Sequence, residues 1–166
     1  MTNSNFSCRC QYEPHVNTPW QSSACGPTAV ASILEFYMEQ NFSINMLYKK
    51  LHCTRLGLPS HFLLYYLPKL LGSNWIVKKT TLNDALQEID RQHLVAVKFD
   101  RYFNRKFWRK PHFDYHWTVL VDYKIHLNQL YLIVEDLGSP SRPSQRQHVL
   151  YEDSKHALTF IKIHPI

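Results

Sequence analysis

The stretch WQSSACGPTAVASILEFY, residues 20–37, sets one cysteine, Cys25, at the threshold of a run with helical apolar spacing. A thiol is a nucleophile only as the thiolate, and a free cysteine with a pKa of about 8.5 is mostly protonated at neutral pH. A helix N-terminus favours the anion through its unpaired N–H groups and its dipole, and a neighbouring imidazolium favours it further. Gly26 and Pro27 follow the cysteine directly, start the helix promptly and leave the approach to sulfur uncrowded. The competing reading is a small buried hydrophobe, the usual role of a free cysteine. Partners decide between the two: a nucleophile needs a base in hydrogen-bond reach and a third group that orients the base.

His116, in DYHWTVLVDY, stands at the entrance of a β-like run, and Asp136, in LYLIVEDLGSP, ends the next one. Antiparallel pairing of 116–123 with 130–137 through the turn HLNQ makes them cross-strand neighbours despite their separation in sequence. Glu135 then points to the face opposite Asp136. Asp122 shares a face with His116 but lies about 20 Å along the strand, out of reach. His112, in a basic loop, and His126, at the far turn, are poorer platforms. Gln21, four residues before Cys25, either offers its amide to a developing oxyanion or caps its own loop. Trp20 and Trp117 flank these residues and either wall a cleft or belong to the core.

The elements that must position these groups divide the chain in two. After an extended lead-in over 1–18, helical spacing predicts a central buried helix from Gly26 to about Glu39, then helices over 43–53 and 59–72. Ser43 and Ser60 are the expected N-caps, Gly72 the stop, and Pro68 a kink or break. WIVKKT reads as a short strand and TLNDALQEIDRQ as a helix capped by Thr81 or Asn83. LVAVKFD, YHWTVLVDYKI, QLYLIVED and ALTFIKIHP then read as strands, with 138–145 a loop between the last two. Helices first and strands after, without βαβ alternation, predict an α+β fold with a largely antiparallel sheet, as a single domain over 1–166.

Composition narrows the function classes. The 166 residues are 45% apolar and 19% charged, as for a chain that folds around a core. No apolar run reaches the roughly 20 residues of a membrane span, so none is expected. The N-terminus has neither the basic start nor the apolar centre of a secretory signal, which suggests a cytoplasmic protein or one translocated without a cleavable signal. The net charge of +6 gathers in KFDRYFNRKFWRKPHF, residues 98–113, where cations alternate with rings. Such a segment suits single-stranded nucleic acid, or an acidic protein or peptide. Nucleic acid is the weaker reading because no recognised binding motif accompanies it. The four cysteines, with Cys8 and Cys10 one residue apart, form neither a disulfide framework nor a metal site of usual spacing. No metal and no cofactor is expected.

The order of helix-bound cysteine, strand histidine and strand-end aspartate resembles the papain-like cysteine peptidases. ACGPTAVASILEFY is similar to the motif of the bacteriocin-processing, double-glycine leader-peptidase branch, HWTVLVDY to its histidine strand, and VEDLGSP to its aspartate element. The likeness spans residues 19–137 in element order and is carried by these three motifs. Gln21 lies closer to the cysteine than the family's oxyanion glutamine, and Leu137 stands where the family has proline. The resemblance implies a cysteine protease with a Cys25–His116–Asp136 triad, Gln21 at the oxyanion, and hydrolysis of a peptide or isopeptide bond in a protein substrate through a thioester. Acyl transfer or deamidation could use the same triad. The resemblance also suggests a bacterial effector, while a non-catalytic binding module using 98–113 is the reading from a different class.

Overall fold

The computed structural model describes residues 6–102 and 110–166. Its central rod is α1 (Cys25–Met38), in which every residue from Cys25 to Leu34 is buried. Small residues in its first half (Gly26, Ala29, Ala31, Ser32) let neighbouring segments approach closely, and Glu39 ends it in a left-handed conformation. α2 (Ile44–Lys50) follows, with the Ser43 hydroxyl accepting the Met46 N–H at 3.2 Å. α3 (Ser60–Leu71) corrects two details of the sequence reading: Pro59 rather than Ser60 holds the N-cap position, and the helix runs through Pro68 to Leu71. Pro68 sits in the final turn, where its missing N–H removes a single helical bond before Gly72 ends the helix.

The strands are β1 (Trp75–Thr80), β2 (Val95–Asp100), β3 (Tyr115–His126), β4 (Gln129–Asp136), β5 (Gln145–Leu150) and β6 (Leu158–Pro165). They form one antiparallel sheet in the order β1-β6-β2-β3-β4-β5. α4 (Leu82–Asp90), capped by Thr81, links β1 to β2. The architecture is therefore α+β, with helices leading into an antiparallel sheet. β5 and the short α5 (Tyr151–Ser154) were not anticipated: the expected loop over 138–145 gives way to a fifth strand at Gln145. QRQHVL is polar because it is an edge strand with little to bury, so it carries almost no β-pattern.

Alternation along the strands feeds two cores. Trp117, Val119 and Val121 of β3 pack with the residues of α1, α2 and α3, while Leu120, with Val134 of β4, packs with Ala85 and Ile89 of α4. No helix among the described residues is long and apolar enough to cross a membrane.

The β3–β4 hairpin holds the decisive register. Its two-residue turn, Leu127–Asn128, has positive φ at both positions, the twist that tight hairpins favour. Pairing starts at His126–Gln129 and proceeds to Asp122–Ile133, then shifts at a bulge so that Leu120 faces Val134 and Val119 faces Glu135. Without the shift, Asp136 would fall in line with Val119, on the face away from His116. The simple pairing expected from sequence likewise sets Asp136 opposite Trp117, one face wrong. The extra residue at Val121 returns Asp136 to the face of His116, because side chains alternate with a period of two.

Leu58 ties the first turn of α1 to β3. Its carbonyl accepts the Trp117 indole N–H at 3.0 Å and the Tyr115 hydroxyl at 3.2 Å. A methyl group on Gly26 would lie 2.6 Å from Leu58 Cβ. Leu58 cannot retreat without loosening both hydrogen bonds, so Gly26→Ala should cost about 1–3 kcal/mol, read as a lower urea midpoint at unchanged m value.

Candidate active site

Cys25 opens α1, preceded by a 3-10 turn over Thr18–Ser23, and is 3% exposed. The β3–β4 ladder ends at Val119–Glu135, and the backbone N–H groups of Trp117, beyond it, and of Gly26 favour the Cys25 thiolate. His116, at the start of β3, is the group that most favours the Cys25 thiolate. Its Nε2 meets Asp136 Oδ1 at 2.8 Å, which leaves Nδ1 for the thiol. The ring lies 4.9 Å from Phe113, so it bridges the two layers at the end of the sheet. Cys25, His116 and Asp136 are thus brought together.

Asp136 is 2% exposed. Its Oδ2 accepts from the Arg142 guanidinium and from Gln147 Nε2 at 2.8 Å, while Oδ1 belongs to His116. Gln147 passes the network on to His112 Nε2 at 2.6 Å. His112, a rival for the catalytic base, therefore stands behind the aspartate rather than beside the thiol. His126 is at the exposed hairpin turn, Asp122 caps the Tyr123 N–H, and Glu135 pairs with Arg146 at 2.6 Å. Arg142 and Gln147 escaped the sequence reading because a loop and an unforeseen strand carry them.

The electrostatics favour an ion pair. Burial raises the Cys25 thiol, but the His116 hydrogen bond and charge, with the Trp117 and Gly26 N–H groups, outweigh it and hold Cys25 below its ordinary value of 9.0. Burial lowers His116, yet its bonds to Asp136 and Cys25 raise it to about 9. For Asp136, burial raises the carboxyl, and His116 and Arg142 more than reverse that. Two other thiols go the opposite way: burial pushes half-buried Cys53 up to about 12, with the charge of Cys25 adding to it, and buried Cys8 well above 9.0.

The assignment of Gln21 to the oxyanion is corrected. Its Nε2 donates to the backbone carbonyls of Glu13 and Val16, each at 3.3 Å, so both amide protons serve the loop over 13–16. A different glutamine, Gln11, reaches inward: it is buried, donates to the Gln21 carbonyl at 2.7 Å and leaves Oε1 without a partner. Its amide lies against the Tyr12 hydroxyl, which burial and the charge of Cys25 keep protonated. The backbone N–H of Gln11 donates to Leu137, which seats the segment beside the end of β4. No sequence signal points to Gln11 and Tyr12, because nothing local marks an extended lead-in as packed inward.

Trp117 is fully buried core, and Trp20 stacks on Tyr48 with ring centroids 4.5 Å apart. A cleft of about 760 Å³ is lined by Leu56, Gly57, Asp100, Tyr102, Tyr115 and Leu158, among others, and by none of Cys25, His116 and Asp136. Tyr115, which lines this cleft, precedes His116 in β3, and burial and the charge of Cys25 both raise its hydroxyl. In the basic segment 98–113, residues 103–109 lie outside the described residues. Lys98 pairs with Asp100 and Arg101 with Asp114, each at 2.8 Å. Compared with protein-family models and with curated proteins, the chain finds no match.

The pH dependence of alkylation follows from the signs of these shifts. In the wild type, iodoacetamide should label Cys25 at a rate that stays flat as pH falls below 9 and declines only once pH passes through the lowered thiol value. In His116→Ala, burial acts without its counterweight, and the inflection should move above 9. Peptide mass spectrometry reads the rates, and an ordinary thiol profile in the wild type would refute the ion pair.

Proposed function

We propose that this chain is a papain-like cysteine protease that hydrolyses a peptide or isopeptide bond in a protein or peptide substrate. The observation that carries the reading is a cysteine made more acidic by a histidine that a buried aspartate holds in place, in a protein whose Cys8 and Cys53 thiols are made less acidic. The succession of helical cysteine, strand histidine and strand-end aspartate supports the same class.

The Cys25 thiolate attacks the carbonyl carbon, and the carbonyl π electrons move onto oxygen. The Cys25 backbone N–H and the Tyr12 hydroxyl, backed by the Gln11 amide, donate to this oxyanion. Such donors act in a water-poor site and typically contribute about 10²–10³ in rate. His116 gives its proton to the leaving amine as the C–N bond breaks, which leaves a thioester on Cys25. Water then attacks the thioester, with His116 taking its proton, and the acid product departs as the thiolate reforms. Asp136 stays ionised and keeps Nε2 of His116 occupied, so that Nδ1 faces sulfur throughout. The cleft beside Tyr115 receives the residues on one side of the scissile bond, its apolar walls meeting side chains and its floor offering the Lys98–Asp100 pair.

Turnover of a quenched-fluorescence peptide library tests this. Cys25→Ala and His116→Ala should abolish cleavage, Asp136→Asn should lower kcat by about 10²–10⁴-fold, and Tyr12→Phe by about 10²-fold. Cleavage that survives Cys25→Ala would overturn the assignment, as would a library left intact by a protein whose Cys25 alkylates as a thiolate.

A further inference from the structure

A second cluster of reactive side chains lies at the other end of α1. Glu88 of α4, His93 in the turn before β2, and His164 near the end of β6 place one ligand-type atom each within 4.8 Å of one another. Tyr37, in the last turn of α1, adjoins them: its hydroxyl accepts the Leu94 N–H at 3.0 Å and its ring meets that of His93. The 14 residues of α1 span about 20 Å. The cluster is therefore remote from Cys25, and the protease reading makes no use of it.

The two oxygens of Glu88, which is 3% exposed, face different groups. Oε1 takes the cations, Lys162 Nζ at 3.2 Å and Arg91 Nη1 at 3.5 Å. Oε2 faces two imidazole nitrogens, His93 Nδ1 at 2.7 Å and His164 Nε2 at 3.5 Å. The two rings stack with centroids 4.1 Å apart, so both present an edge to the same oxygen.

His164 sharpens the point. Its Nδ1 lies 2.7 Å from the Pro165 carbonyl, which can only accept, so Nδ1 carries the proton and the lone pair of the neutral ring is on Nε2. That nitrogen, on a residue 6% exposed, has no hydrogen-bond partner and looks at a carboxylate oxygen. Two acceptors facing each other away from water repel, so either a second proton on the His164 ring or a metal ion lies between them. A carbonyl that fixes the far nitrogen of a histidine is also the usual outer support of a metal-bound imidazole. For a tetrahedral ion with bonds of about 2.0–2.1 Å, neighbouring ligand atoms are about 3.3–3.4 Å apart, a value that the 2.7 and 3.5 Å spacings bracket.

We propose that Glu88 Oε2, His93 Nδ1 and His164 Nε2 form a binding site for a zinc-type divalent transition-metal ion, with water as the fourth ligand. One carboxylate and two imidazoles suit zinc far better than magnesium or calcium, which prefer all-oxygen sites. Lys162 and Arg91, held on Oε1, orient the carboxylate and leave Oε2 for the ion. The ion pins α4 and the turn after it to β6, and so acts on stability rather than on the reaction at Cys25. No metal site was expected from sequence, because the three ligands come from separate elements without a spacing motif.

The test uses the full chain carrying Cys25→Ser, so that the activated thiol does not compete. Calorimetric titration with zinc should show one equivalent bound and a raised Tm. Cobalt should give visible ligand-field bands without a thiolate charge-transfer band. His93→Ala, at a partly exposed position that tolerates truncation, and His164→Ala should each weaken zinc by more than about 100-fold, beyond the usual effect of losing an outer-sphere partner. Absence of binding at molar excess, a thiolate band with cobalt, or unchanged affinity in the folded His93→Ala protein would each overturn the site. None of these readouts depends on peptide cleavage.

Discussion

A carboxylate as buried as Asp136 stays ionised only if its oxygens are matched, and most of the candidate site follows from that requirement. Taking such an ion out of water costs several kcal/mol even after relaxation, and removing one partner of a buried pair typically costs about 3–5 kcal/mol. Asp136 draws its partners from three places: His116 on β3, Arg142 in the loop after β4, and Gln147 on β5. β5 pairs Gln145 opposite Asp136, and Gly138, in a left-handed conformation, turns the chain toward that loop. A Cβ on Gly138 would meet the Cys10 sulfur at 2.6 Å, so the lead-in segment is packed against the same turn. The orientation of His116 is thus a property of the whole end of the sheet.

Cys25 shows how competing effects are ranked. A helix N-terminus is worth about 0.3–1 kcal/mol to an anion at the surface and up to about 2 kcal/mol when partly buried. Full burial can oppose ionisation by roughly 4–7 kcal/mol. The helix alone therefore cannot activate a cysteine this buried, and the imidazolium with two backbone N–H donors must supply the rest. Half-buried Cys53 and buried Cys8, without such a partner, show the uncompensated result.

α1 works as a rod with different chemistry at its ends. Its first turn carries Cys25, and its last turn carries Tyr37 against the Glu88, His93 and His164 cluster. The lead-in segment braces it along the side: Arg9 bridges Glu13 and Glu35 and reaches the Phe42 carbonyl, while Arg146 and Ser144 hold the carbonyls of Phe6 and Cys8. What reads as an extended tail is a strap from the sheet edge to the helix, and its Tyr12 hydroxyl feels the charge of Cys25.

The α+β architecture, the central helix and five of the six strands were legible in the sequence because their signals are local: apolar periodicity, Ser43 and Thr81 as caps, Gly72 as a stop. Cys25, His116 and Asp136 were legible for a related reason, since each sits at the boundary of a strongly patterned element. β5 was not, because an edge strand has no face to bury and so needs no pattern. The side of the sheet on which Asp136 lies was not legible either. One extra residue at Val121 decides it, and a bulge is stabilised by packing on both faces rather than by any residue's own propensity. The same holds for Gln21 donating into its own loop, for Arg142 and Gln147 behind the aspartate, and for the meeting of Glu88 with His93 and His164. Such groups are selected by burial that exists only once distant segments have closed over them, so tertiary structure alone decides them.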